Sequence, residues 1–255
     1  MSNQAFIELE NVQKVYGQGG KNPYMALSDV TLSINEGELV SIVGPSGCGK
    51  STLLMILSGL TSHEGGTVRV GNETTSFDAT RDVGMVFQQA LLLNWRTILD
   101  NVLLPAEILQ MPMKPARERA RELLDLVGLS GHENKYPKQL SGGQRQRVAI
   151  ARALIHDPKL IMMDEPFGAL DALTREKMNL ELLRIWEASG KTILFVTHGI
   201  SEAVLLGSRI AVMTSGPARM AAAIDVDLPY PRTLDMKTHE AFGAYTRQVY
   251  GLLGM

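Results

Sequence analysis

The stretch Gly44-Pro45-Ser46-Gly47-Cys48-Gly49-Lys50-Ser51 constrains this chain more than any other part of it. It follows Leu39-Val40-Ser41-Ile42-Val43, a short apolar run of the buried-strand kind, and it leads into a helical pattern from Lys50 to Leu60 that stops at Gly59 and the 61–66 loop. Strand, glycine-rich turn and helix, in that order, are the context in which G-x-x-x-x-G-K-[ST] binds phosphate. Its glycines let successive backbone N–H groups turn inward as a nest for phosphate oxygens, and the helix adds the positive end of its dipole. Lys50 is expected to neutralise the β and γ phosphates, and Ser51 to offer its hydroxyl to Mg²⁺. Cys48 puts a small side chain in the loop, and its thiol also admits regulation by oxidation.

Around this turn the pattern alternates between strands and helices. Strands are expected at 5–16, 26–34, 67–71 and 83–87, with a loop over Gly17–Pro23. Residues 97–109, 116–127 and 142–155 carry helical spacing, broken by Pro112, Pro115, Gly128 and Pro137. Strand patterns return at 159–163, 192–196 and 209–213, with helices between them. The expectation is a mostly parallel sheet interrupted by an all-helical insert. A formal net charge of −2 gives no basic field for a nucleic-acid backbone, so no nucleic-acid partner is expected. A single cysteine among 255 residues excludes an intrachain disulfide. No apolar run approaches the roughly 20 residues that cross a bilayer, and the N-terminus lacks a signal-peptide pattern. A membrane, if this chain serves one, is served from outside the lipid.

Two further constellations carry chemistry. Leu160-Ile161-Met162-Met163-Asp164-Glu165 is an apolar strand ending in two acids, which sets carboxylates at the carboxyl edge of a parallel sheet. Asp164 suits Mg²⁺, and Glu165 suits orientation or deprotonation of an attacking water. Leu140-Ser141-Gly142-Gly143-Gln144 opens a helix with no strand before it. Alone, these residues read first as an ordinary helix cap; read as a second anion site at a helix N-terminus, they need a phosphate supplied from elsewhere.

In order and spacing these motifs resemble the ABC ATPase family, from Glu8 to about Arg232. The resemblance implies a P-loop NTPase (RecA-like) α/β core with an antiparallel β lobe and an inserted helical lobe. On that pattern residues 1–88 and 158–232 form the core and β lobe, 89–157 the helical lobe with the signature, and 233–255 a C-terminal tail. It further implies that Tyr16 stacks on adenine, that the phosphate loop is Gly44–Thr52, and that Gln88 is the Q-loop glutamine, contacting the metal beside Ser51 and Asp164. Ser141, Gly142, Gly143 and Gln144 form the signature, Asp171 lies in the D-loop, and His198 is the switch histidine beside the catalytic Glu165. Gly199 stands where this family usually has aspartate, which is expected to loosen the local loop. Two such subunits are implied to pair head to tail, each ATP lying between one chain's phosphate loop and the other's signature serine. Integral membrane permease subunits, and indirectly a solute-binding protein, complete the implied assembly at the cytoplasmic face of the inner membrane.

Leu92-Leu93-Asn94-Trp95-Arg96-Thr97 and Leu228-Pro229-Tyr230-Pro231-Arg232 resemble the branch serving nitrate, sulfonate and taurine importers. Importers of other solutes such as polyamines, and exporters, remain the alternatives. Residues 89–101 are those that meet the membrane partner in related subunits. His63, His132, His156 and His239 fall in expected loops, turns or tail and are assigned no role.

Overall fold

The computed structural model describes residues 5–17, 22–71 and 77–255; the middle of the expected 17–23 loop lies outside them. In chain order the elements are β1 (Ile7–Tyr16), β2 (Tyr24–Ile34), β3 (Leu39–Val43), α1 (Lys50–Leu57), β4 (Gly65–Val70), α2 (Ala79–Asp82), β5 (Val83–Phe87), α3 (Ile98–Ile108), α4 (Met113–Leu126), α5 (Gly142–Leu154), β6 (Leu160–Asp164), α6 (Ala172–Ser189), β7 (Thr192–Thr197), α7 (Ile200–Leu206), β8 (Arg209–Thr214), β9 (Arg219–Asp225) and α8 (Glu240–Leu252). They gather into two compact units, Met1–Ala79 with Thr192–Met255, and Thr80–Lys191.

In the first unit β3 pairs in parallel with β7 and β8, and β9 closes antiparallel on β8. All five residues of β3 and all six of β7 are buried, as expected of strands covered on both faces. A separate antiparallel sheet sets β1 between β2 and β4, with Ile7 opposite both Ile34 and Val70. Val43, Val204, Ile210, Val212, Phe242 and Val249 belong to one buried cluster joining β3, α7, β8 and α8. Each such side chain contributes roughly 1.5–3 kcal/mol by leaving water.

The second unit pairs β5 with β6 in parallel and packs α3, α4 and α5 on one another, with α5 also against β5. Its helices start where their first turns allow. Pro115 was expected to hold α4 back to residue 116, yet the helix begins at Met113. Proline is tolerated in a first helical turn because the N–H it lacks has no intrahelical partner there.

Several elements, β9 and the C-terminal helix among them, had no counterpart in the sequence expectations. β9 reads Arg-Met-Ala-Ala-Ala-Ile-Asp, too short of large apolar residues to announce a strand, and is made one by its partner β8. Residues 233–255, expected as a tail, instead form a 3₁₀ turn (Leu234–Thr238) and α8, which buries Phe242 and Val249. Among the described residues no helix is long and apolar enough to cross a membrane.

Candidate nucleotide site

In the first unit, Val43 of β3 stands opposite Thr197 of β7, so the phosphate loop and His198 leave adjacent parallel strands at the same carboxyl edge. Gly44 runs so close to β8 that a Cβ there would meet the Met213 carbonyl at 2.4 Å. Gly49, with φ +97°, would bring a Cβ to 2.8 Å from Leu27; no other residue type fits either place. Between them Cys48 N donates to the Pro45 carbonyl at 3.3 Å. The buried Lys50 ammonium donates to the Gly44 and Pro45 carbonyls at 2.8 and 2.9 Å. Ser46, Gly47 and Ser51 are exposed, and Thr52 is buried. A buried cation, left-handed glycines and the start of α1 together make this loop a fit for a phosphate group.

Burial pushes the Cys48 thiol above its ordinary range, against the opposing pull of Lys50. The thiol is free and buried, as suits a small packing group in the loop.

Tyr16 ends β1 partly exposed, with the Lys14 ammonium 5.2 Å from its ring centre. Lys14 is itself tied to Glu64 at 2.8 Å. The Glu64 carboxyl accepts from Lys14 and from the Val15 N–H, which hold it below the usual carboxylate range. Exposed His198 sits in a turn where Thr197 Oγ1 donates to Glu202 Oε2 at 2.5 Å and accepts from Gly199 N at 2.9 Å.

In the second unit, Phe87 of β5 is paired with Asp164 of β6. Gln88 and Glu165 therefore emerge side by side at one carboxyl edge. A Cβ on Gly168 would lie 3.1 Å from Gln88 Nε2 and 3.7 Å from Glu165 Oε2, so both side chains converge on that glycine. Glu165 holds φ +46°, a left-handed conformation that favours glycine or asparagine and marks a constrained position.

The signature lies beside this loop. Ser141 caps α5 by accepting from Gln144 N at 3.2 Å, while Gln144 Oε1 accepts from Ser141 N at 2.9 Å, a reciprocal capping box. Gly142 faces Leu170, and a Cβ on Gly143 would meet Thr174 at 2.9 Å. Asp171 caps α6 by accepting from Thr174 N at 3.0 Å, and hydrogen bonds from the Thr174 hydroxyl and then its N–H hold the carboxyl below the usual range.

Residues 27–168 match the family described as ABC transporter. The chain belongs to that family. A bicarbonate transport ATP-binding protein of Synechocystis is 43% identical over 234 residues, covering 91% of this chain and 82% of that protein. An aliphatic sulfonates import ATP-binding protein of Bacillus cereus is 38% identical over 243 residues, 95% of this chain and 94% of its own. Among solved structures, a dimeric ATP-binding cassette in a post-hydrolysis state, bound to ADP and Pi, aligns at TM-score 0.74 and 40% identity, over 88% of this chain and 100% of that one. The fold is that of an ABC cassette, a P-loop NTPase, and its activity is ATP hydrolysis coupled to transport.

Several residues of this ABC ATPase support its motifs without belonging to them. Gln146 of α5 donates to the Phe87 carbonyl at 2.8 Å, just before Gln88. Arg152 donates to the carbonyls of Ala90 and Leu91 at 2.7 and 2.8 Å. Fully buried Asn101 accepts from Leu93 N and donates to the carbonyls of Leu93, Arg96 and Thr97. Arg175 donates to three carbonyls of the loop after Glu165. A polar residue on a helix whose partner is a distant carbonyl has no signature in its own segment. Of the histidines set aside, His156 bonds the Val83 carbonyl through Nε2 at 3.0 Å, and burial holds its imidazole below the ordinary range. His132 Nδ1 lies 3.2 Å from the Ser130 carbonyl.

Proposed function

We propose that this ABC ATPase energises a binding-protein-dependent importer of a small anion such as a sulfonate, taurine, nitrate or bicarbonate. One observation carries the reading: relatives matching nine-tenths or more of the chain at about 40% identity are named for bicarbonate transport and sulfonate import. The likeness at 92–97 and 228–232 points the same way, but none of these residues meets a solute, so the inference is one of relatedness. A polyamine importer or an exporter is the second reading, as the same ATPase parts serve both.

ATP is bound by the phosphate loop Gly44–Thr52 with Lys50 on the phosphates, and Tyr16 offers its face to the adenine. Glu165 accepts the proton of the attacking water, Gln88 orients beside it, and His198 donates to the γ phosphate. Mg²⁺, held by Ser51 and Asp164 with Gln88 nearby, would supply neutralisation of phosphate charge. Two subunits pair with the signature Ser141–Gln144 and Asp171 of each completing the site of the other, in keeping with the dimeric cassette. The division into a core with β lobe (1–88, 158–232), a helical lobe (89–157) and a C-terminal segment (233–255) belongs to the same proposal. The permease partner would seat on a cleft of about 440 Å³ lined by residues including Gln88, Leu91, Asn94, Arg145 and Leu170. Leu91 and Trp95 stand exposed near it in sequence, Trp95 at 75%, as suits anchors for a partner helix. That partner would hold the ATPase at the cytoplasmic face of the inner membrane, with no nucleic acid involved.

The test is disruption of the gene and measurement of uptake of sulfonates, taurine, nitrate and bicarbonate against polyamines and sugars. Loss of one anion's uptake, restored by wild type but not by Lys50→Ala, is the expected result. Intact anion uptake with a lost polyamine uptake or a lost efflux would replace this reading by the second one.

A further inference from the structure

Backbone hydrogen bonds tie parts of the loop from Glu165 to Asp171 to one another. Gly168 N donates to the Glu165 carbonyl at 3.0 Å and Leu170 N to the Phe167 carbonyl at 3.1 Å. It starts from Glu165 at φ +46°, a conformation that persists in a non-glycine residue only when its surroundings enforce it. The residues that follow it are tied to α6. Arg175 reaches back over the helix start: its Nε donates to the Phe167 carbonyl at 3.2 Å, and its Nη2 to the carbonyls of Gly168 and Leu170 at 3.2 and 3.0 Å. Those carbonyls belong to the residues that surround the proposed chemistry. Gly168 is the point on which the Gln88 amide and the Glu165 carboxylate converge, and Leu170 is the side chain packed against Gly142 of the signature.

We propose that Arg175 is the positioning residue for hydrolysis: its guanidinium fixes loop 165–171 so that Glu165, Gln88 and the D-loop hold their working geometry together. This rests on the proposed role of Glu165 and adds what keeps that carboxylate in place. The fork geometry is what the task needs. A planar guanidinium spans carbonyls of three different residues at once, whereas the single ammonium of a lysine reaches one or two and holds them with less angular control. Arg175 spends its guanidinium on carbonyls of the 165–171 loop, so its effect belongs to turnover and not to ATP affinity.

The experiment compares Arg175→Ala, Arg175→Lys and Glu165→Gln in the purified full-length chain, measuring kcat and KM for ATP, affinity for a fluorescent ATP analogue, and the thermal midpoint. Misplacement of a catalytic group by a fraction of an ångström to an ångström predicts a kcat loss of about 10- to 100-fold for Arg175→Ala, with nucleotide affinity within about threefold of wild type. Arg175→Lys should fall between the two, and it carries the test if the alanine variant fails to fold. If Arg175 acts through Glu165, adding Arg175→Ala to Glu165→Gln should slow the residual rate by less than about threefold. A folded Arg175→Ala or Arg175→Lys with wild-type kcat, beside a slow Glu165→Gln, overturns this proposal and leaves the Glu165 reading standing. Loss of nucleotide affinity in step with a lowered midpoint also overturns it, in favour of a structural role. A Glu165→Gln variant turning over at the wild-type rate overturns both.

Discussion

Arg232 is a charge folded into the protein interior, 3% exposed. Its guanidinium donates to the carbonyls of Val204, Leu205 and Gly207 at 2.8–3.1 Å, and of Val226 and Leu228 at 3.2 and 3.4 Å. The first three lie at the C-terminal end of α7, where unpaired carbonyls and the negative end of the helix dipole favour a cation. The Tyr230 ring lies 4.2 Å from the guanidinium carbon. Burial pulls the Arg232 pKa below its ordinary value. Arg232→Met keeps much of the volume but leaves several buried carbonyls without a donor, so it should destabilise the chain by on the order of 3 kcal/mol. Urea unfolding followed by circular dichroism measures this; a loss below about 0.5 kcal/mol, the range of an ordinary surface change, would show that solvent replaces the guanidinium at no cost. The same segment drew attention in the sequence only as a branch resemblance, and its structural work lies in closing α7.

At the scale of elements, the N-terminus of α5 does two jobs that substitution can separate. Ser141 is the cap, and capping serines contribute about 1 kcal/mol over alanine. In the proposed dimer the same serine receives the γ phosphate of the partner's nucleotide. Ser141→Ala should therefore lower stability by about 1 kcal/mol and weaken turnover as well. Ser141→Asp should keep stability near wild type, because aspartate caps well and its charge suits the positive helix end. It should nevertheless abolish ATP turnover, since that charge faces a phosphate. Thermal melts with ATPase rates on the two variants decide it, and an active Ser141→Asp enzyme would remove the signature from the phosphate site. The close approach of α5 and α6, with Gly143 against Thr174, shows why that helix start carries glycines beyond any demand of anion binding.

For the whole molecule the question is how hydrolysis controls association. If the nucleotide bridges two subunits, chemistry is what releases them. Glu165→Gln keeps shape and removes the base, so it should slow hydrolysis by a factor on the order of 100 or more while leaving ATP affinity in place. With Mg-ATP the variant should accumulate as a dimer in size-exclusion chromatography coupled to light scattering, and ADP should return it to monomer. A dimer that forms equally with ADP would mean that the γ phosphate is not the bridge. The prediction belongs at this scale because what it reads is the association of two whole chains.

The sequence by itself determined the elements whose residues act locally. Gly44–Ser51 after an apolar strand left one conformation open to the turn, the two acids ending Leu160–Glu165 set themselves at a strand terminus, and Ser141 with Gln144 spelled a helix start. These were legible because dihedral freedom, strand burial and capping depend on neighbours within a few residues. Tertiary structure decided the rest. β9 is a strand because β8 offers it a ladder, and α8 is a packed helix because Phe242 and Val249 find α7 and its surroundings. The parallel register that sets Phe87 beside Asp164, and Val43 beside Thr197, brings Gln88 to Glu165 and the phosphate loop to His198. Arg175, Arg152, Gln146 and Arg232 take their meaning from carbonyls up to 62 residues away, and a backbone carbonyl has no letter of its own in a sequence. A hydrogen bond to such an acceptor exists only once the fold has aimed donor and acceptor at each other.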